Sequence, residues 1–134
     1  MSEPVSLSTR AQEIFRSKAF AHVAVPGSGG VPHTTPVWAD VDDDGNLWFN
    51  TAIGRFKERH LQLGDPVAVS ATDPDNPYEY CQVRGHVGER RTDGAEEDID
   101  ALAKKYMGVD TYPLRTEGER RVTIVVTPTS TTGV

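Results

Sequence analysis

A chain of 134 residues with a formal net charge of −6, 37% hydrophobic and 25% charged residues has room for one domain and a modest core, and has the composition of a globular rather than a disordered protein. The acidic balance excludes general nucleic-acid affinity, which needs many Lys and Arg side chains against phosphates, so any anion site must be local. No apolar run approaches the roughly 20 residues that span a bilayer, and "MSEPVSLSTRAQEIF" lacks the basic region and apolar core of a secretory leader; a single-domain cytoplasmic protein without membrane or nucleic-acid partners is expected.

In chain order, "LSTRAQEIFRSK" predicts a short helix: Ser8 and Thr9 open it, Gln12 follows Thr9 at capping-box spacing, and Ala11, Ile14 and Phe15 share one face. "AFAHVAV" reads as a strand ended by the turn "PGSGG", followed by a strand "PHTTPVWADV", the turn "DVDDDGN" and a strand "LWFNTA". Residues 19–52 are thus expected to form three successive antiparallel strands. In "RFKERHLQL", Phe56, Leu61 and Leu63 alternate with charges and predict a brief helix stopped by Gly64 and Asp65-Pro66.

"VAVSATD" and "YEYCQVRGHVGERR" follow as strands around "DPDNP", the second long enough that Gly85 predicts a bulge or a barrel bend. "DGAEEDIDALAKKYMG" is the clearest helix. Ile99, Leu102, Ala103 and Tyr106 recur at helical spacing, acids come early, Lys104 and Lys105 late, and Gly108 stops it. After the polar loop "VDTYPLRTEGE" comes a last strand, "RRVTIVVTP". Six strands and three helices with short connections predict a mainly β fold, an antiparallel barrel with peripheral helices.

Several tempting motifs fail. Asp40, Asp42, Asp44 and Gly45 begin a calcium-loop pattern, but its twelfth position is Thr51 and its flanks are strands, so a solvated hairpin turn is expected. "PGSGG" lacks the G-K-[ST] ending and following helix of a phosphate loop. His22, His33, His60 and His86 are scattered, so no metal site is expected. No G-x-S-x-G elbow surrounds a serine, and the lone Cys81 in a strand-like run reads as a small buried hydrophobe. No catalytic side chain is assigned; if the chain is an enzyme, a bound cofactor carries the chemistry.

One constellation survives. Arg55-x-Lys57-x-Arg59 follows Gly54 at the junction of a strand and a short helix, an island of positive charge in an acidic chain. Arginine offers a planar fork for phosphate oxygens, lysine a compact charge, and a helix start free amides. Alone, such a run is more often a solvated helix face. Its context is the pair "TTPVW" and "LWFNT": a flat ring along these strands can use the backbone of Pro36, Val37 and Trp38 and the side chains of Asn50 and Thr51, with a phosphate tail reaching Arg55 and Lys57. Core packing is the alternative for Trp38, and the expectation for Trp48 and Phe49.

The order of strand, hairpin, strand, basic turn, D-P-x-V-A and aromatic strand in "PHTTPVWADVDDDGNLWFNTAIGRFKERHLQLGDPVAVSATDPDNPYEYCQVRG" resembles the pyridoxamine 5′-phosphate oxidase-like split β-barrels, in their flavin/deazaflavin oxidoreductase branch, over residues 8–127. The resemblance implies a six-stranded split barrel, a homodimer with two interfacial cofactor sites, and coenzyme F420 as cofactor, with FMN the alternative. It implies hydride transfer from reduced deazaflavin to a conjugated small molecule. An FMN-dependent oxidoreductase and a noncatalytic flavin or F420 carrier are the rival readings. Carried over by position, Thr35, Pro36, Val37, Trp38, Asn50 and Thr51 line the ring, Arg55, Lys57 and Arg59 hold the phosphate, and Tyr78 reaches the site from the partner. His60 stands where the family commonly has asparagine.

Overall fold

The computed structural model describes residues 3–134. Three α-helices and seven strands follow in the order α1 (Thr9–Arg16), β1 (Ala21–Pro26), β2 (Pro32–Val37), β3 (Ala39–Val41), β4 (Leu47–Ala52), α2 (Phe56–Arg59), β5 (Pro66–Asp73), β6 (Asn76–Arg91), α3 (Ala95–Met107) and β7 (Arg121–Gly133), with a 3₁₀ turn at Ser28–Gly30. The strands form one antiparallel sheet in the order β2-β1-β5-β6-β7-β4-β3. This is the expected mainly β split barrel, with one strand more than predicted.

The extra strand arises at Trp38. The run predicted as one strand over residues 32–41 breaks there, and its halves pair at opposite ends of the sheet: Val37 lies opposite Ala21 of β1, and Ala39 opposite Phe49 of β4. The expected meander over residues 19–52 is therefore two separate hairpins, since β2 never pairs with β4. A single residue joins the two sheet ends, so the sheet must wrap on itself.

Burial follows the strand period. Ala21, Val23 and Val25 of β1, Val67, Val69 and Ala71 of β5, and Cys81 and Val83 of β6 point into the barrel core, and the odd positions of β4, Leu47 and Phe49, join them. β4 alone is buried at every position. Its other face, with Trp48, packs with Val125 of β7 under Ile99 and Leu102 of α3. A strand sandwiched between two cores reads as a continuous apolar run. Burial pushes the Cys81 thiol pKa upward, in keeping with a packing role.

Local signals mostly settle as expected. The Ser8 hydroxyl accepts the Ala11 amide and caps α1, whereas Gln12 reaches back to the Leu7 carbonyl at 3.1 Å and makes no box with Thr9. Asp42 Oδ1 accepts the amides of Asp44 and Asn46, so the calcium-like run is a hairpin turn closed on its own backbone. Gly108 ends α3 in the left-handed region at φ 74°. Among the described residues no helix is long and apolar enough to cross a membrane.

Gly85 does mark a bulge. The β6–β7 register shifts between Arg84 and Gly85 and again between Val87 and Glu89, and a Cβ at position 85 would lie 2.0 Å from the Thr127 carbonyl oxygen. Gly85→Ala is expected to destabilise the fold by about 1–3 kcal/mol through forced backbone movement, read as a lower urea midpoint with an unchanged m-value.

Candidate functional site

The C-terminal end of β4 and the break at Trp38 open on the same side of the barrel. Between them lies a cleft of about 230 Å³. Six of the residues predicted from the sequence line it: Pro36, Val37, Trp38, Asn50, Arg55 and Lys57. Thr35 and Thr51 do not; Thr51 is 1% exposed, and the hydroxyls of both are buried without a hydrogen-bond partner. Arg59 is exposed at the end of α2, outside the cleft. Tyr78, 91% exposed on the β5–β6 hairpin, takes no part in it within one protomer.

One wall is aromatic. Trp38 stacks on Tyr106 of α3 with centroids 5.3 Å apart and planes 6° off parallel, meets Tyr112 edge-on at 5.9 Å, and Phe20 stacks on the same Tyr106 at 5.7 Å. The Tyr106 hydroxyl donates to the Ala19 carbonyl at 2.6 Å and accepts the Ala39 amide at 3.2 Å. Lys105 donates to the carbonyls of Phe15 and Ala39. Burial, partly offset by Asp40, pushes the Lys105 pKa down to about 8. α3 thus fastens the two chain segments that carry Phe20 and Trp38. The sequence left Trp38 between core and site; it packs against the α3 cluster and also faces the cleft.

The opposite end is cationic. Arg55, Lys57 and Arg121 all line the cleft, Arg121 arriving because β7 begins opposite Ala52. The Lys57 ammonium has no acidic partner among the described residues, and burial, then Arg55, then Arg121 push its pKa down. Arg121, only 5% exposed, is fixed on three sides: Nε donates to Asn50 Oδ1 at 2.8 Å, Nη1 donates to Glu119 Oε1 at 2.8 Å, and the guanidinium lies 5.3 Å over the Tyr112 ring. The Asn50 amide donates in turn to the Ala95 carbonyl and Thr123 Oγ1. Asn50 therefore lines the cleft with its hydrogen-bonding groups engaged, and its role is to orient Arg121.

The turn between β4 and β5 is shorter and tighter than the helix expected over residues 55–63: α2 is a single turn, Phe56–Arg59. The helix start does not leave all its amides free, because Gly54 donates to Glu58 Oε1 at 2.8 Å. Glu58 is buried and paired with Arg90 of β6 at 2.7 Å. Burial raises its pKa, but the Gly54 amide and Arg90 outweigh that and hold it below the usual carboxylate range. Phe56 lies between His33 and His60, with centroids at 4.3 and 4.5 Å, so His60 supports the turn by packing on Phe56.

Sequence reading missed Arg121, Tyr112, Phe20, Ile99 and Leu114, all of which line the cleft. For Arg121 a signal existed: a charged side chain opening the apolar run "RRVTIVV" must find a partner or a ligand once β7 is central in the sheet.

An antiparallel sheet wrapped on itself, with a basic turn and an aromatic wall flanking a cleft, defines a split β-barrel. No protein-family model and no curated protein matches the sequence. Among solved structures, an F420 reductase is similar over 94% of this chain and 98% of its own, with 30% identity and a TM-score of 0.79. The FAD binding protein from Mycobacterium smegmatis (22% identity, TM-score 0.61, 97% of this chain and 96% of that one) and the FAD and heme binding protein from the same organism (20%, 0.65, 92% and 67%) share the fold. The chain belongs to the pyridoxamine 5′-phosphate oxidase-like split β-barrel family, among its F420-related members.

Proposed function

We propose that the protein is an F420-dependent oxidoreductase that passes a hydride from the reduced deazaflavin to a conjugated small-molecule acceptor, acting as a homodimer. The observation that carries this reading is Lys57: a half-buried ammonium without an acidic partner among the described residues, beside Arg55 and Arg121, in an aromatic-walled cleft. Such a charge is stabilised by a bound anion. The resemblance to an F420 reductase at 30% identity favours the deazaflavin.

When bound, the deazaflavin supplies the hydride chemistry. The chain's own residues bind, orient and exclude water. Lys57 and Arg55 hold the phosphate of the tail, the Pro36–Trp38 backbone runs along the ring, and the Trp38, Tyr106 and Tyr112 stack forms a rigid wall. Tyr78, fully on the surface of one protomer, is available to the partner's site. FMN is the second reading, because the same clamp suits any flavin-type phosphate and flavin-binding proteins share the fold.

Fluorescence titration with F420 and with FMN separates the two cofactors, and absence of binding to either at micromolar concentration removes both enzyme readings. Lys57→Ala is expected to weaken affinity for the preferred cofactor by about 1–3 kcal/mol, the range of a charged hydrogen bond; unchanged affinity returns Lys57 to a solvated surface role. Tight binding without turnover across a panel of quinone-like acceptors identifies a carrier.

A further inference from the structure

An opposing charge lies beside the cleft, on two of its cations. Glu119 lies in the turn before β7, where its amide donates to the Thr116 carbonyl at 3.1 Å, and its side chain is only 14% exposed. Because Ala52 pairs with Arg121 and the Ile53 amide donates to the Arg120 carbonyl, the turns at 53–55 and 118–120 run side by side. One Glu119 oxygen lies 2.8 Å from Arg121 Nη1 and the other 3.5 Å from Arg55 Nη2. A single carboxylate thus bridges two of the three cleft cations, leaving Lys57 as the third.

We propose that Glu119 is a resident counter-ion of the anion site: it holds Arg55 and Arg121 in place in the free protein and is displaced from Arg55 when a phosphate group binds, with Arg121 as a further ligand to that phosphate. The proposal rests on the cleft being a phosphate site and adds two residues to it. Its physics is competition. The Arg121 fork is preorganised by Asn50 Oδ1 and the Tyr112 ring, and among the described residues its Nη2 has no protein partner. The Arg55–Glu119 contact is long and half-exposed, and so is the weaker of the two and the first to exchange. A phosphate reaches both arginines from within the cleft, and a monoester or pyrophosphate also carries more charge than the carboxylate it replaces. Once bound, it sits against a carboxylate still fixed on Arg121, and that repulsion limits affinity.

The consequence runs opposite to the removal of a cation. Isothermal titration of Glu119→Gln with FMN, riboflavin and inorganic pyrophosphate is expected to show FMN and pyrophosphate bound about fivefold more tightly than by the wild type, with riboflavin, which lacks the phosphate, unchanged. Equal or weaker phosphate binding, or an equal gain for riboflavin, overturns the proposal. Should loss of the charge beside Arg121 unfold the variant, the wild type decides: arginine side-chain Nε–Hε resonances, assigned with Arg55→Lys, are expected to shift for Arg55 on saturation with pyrophosphate, and no shift overturns the exchange. The pyrophosphate arm is independent of the ring, so a protein that takes neither F420 nor FMN sinks the oxidoreductase reading while this test still stands.

Discussion

Glu58→Ala is expected to lose about 3–5 kcal/mol of folding stability, the range for removing one partner of a buried ion pair. The carboxylate is 5% exposed and meets Arg90 at 2.7 Å and the Gly54 amide at 2.8 Å. Its removal leaves Arg90, itself only 18% exposed, with the Leu61 carbonyl as its remaining partner. The loss also has a pH signature. Because the folded-state pKa of Glu58 is depressed, its contribution is present above the ordinary carboxylate range and fades as pH falls through the folded-state value. Urea unfolding of wild type and variant at pH 7 and pH 4 is expected to show a gap that narrows in acid; a gap of equal size at both pH values would place the effect in packing instead of charge. Since Gly54 and Glu58 bracket Arg55 and Lys57, the variant is also expected to bind cofactor more weakly, and Glu58→Gln, which retains an acceptor for Gly54, to recover part of that loss.

Phe49→Ala is expected to cost about 3–5 kcal/mol, the range for emptying a large aromatic site in a packed core. Phe49 is fully buried, sits between Ala39 of β3 and Ile124 of β7, and belongs to the strand with a core on each side. One flanking strand, β7, is held by ladders on both its edges, to β6 and to β4, so little of the cavity is expected to collapse. The check is the urea midpoint, with Trp48→Phe as comparison: Trp48 is buried in the smaller cluster under α3, and its conservative replacement, which keeps an aromatic ring there, is expected to cost less than half as much.

Much of this architecture is legible in the sequence because the signals are local. α3 announces itself through Ile99, Leu102, Ala103 and the stop at Gly108, and Gly85 through its position inside a strand too long to stay straight. Six cleft residues follow from a strand pair leading into a basic turn. What is not legible depends on partners far along the chain. The break at Trp38 is invisible because each half of "PHTTPVWADV" has ordinary strand character, and only the choice between β1 and β4 as partner separates them. Residues 55–63 were read as helical from Phe56, Leu61 and Leu63, yet Leu63 is 66% exposed and Leu61 is buried as part of the turn. Asn50 looked like a ring contact; its engagement with Arg121, 71 positions away, belongs to the β4–β7 pairing and has no local trace.

Breaking one strand across both ends of the sheet also bears on the hazard of edge-to-edge aggregation. The strands that flank Trp38 are the two outermost in the order, and outermost strands offer an unpaired row of backbone groups to any passing chain. β2 begins with Pro32 and carries Pro36, and each removes an amide from the template, while β3 is three residues long. β2 and β3 are thereby poor templates for fibril growth, and replacing the two prolines would restore two amides to an outer strand without altering a residue of the core cluster.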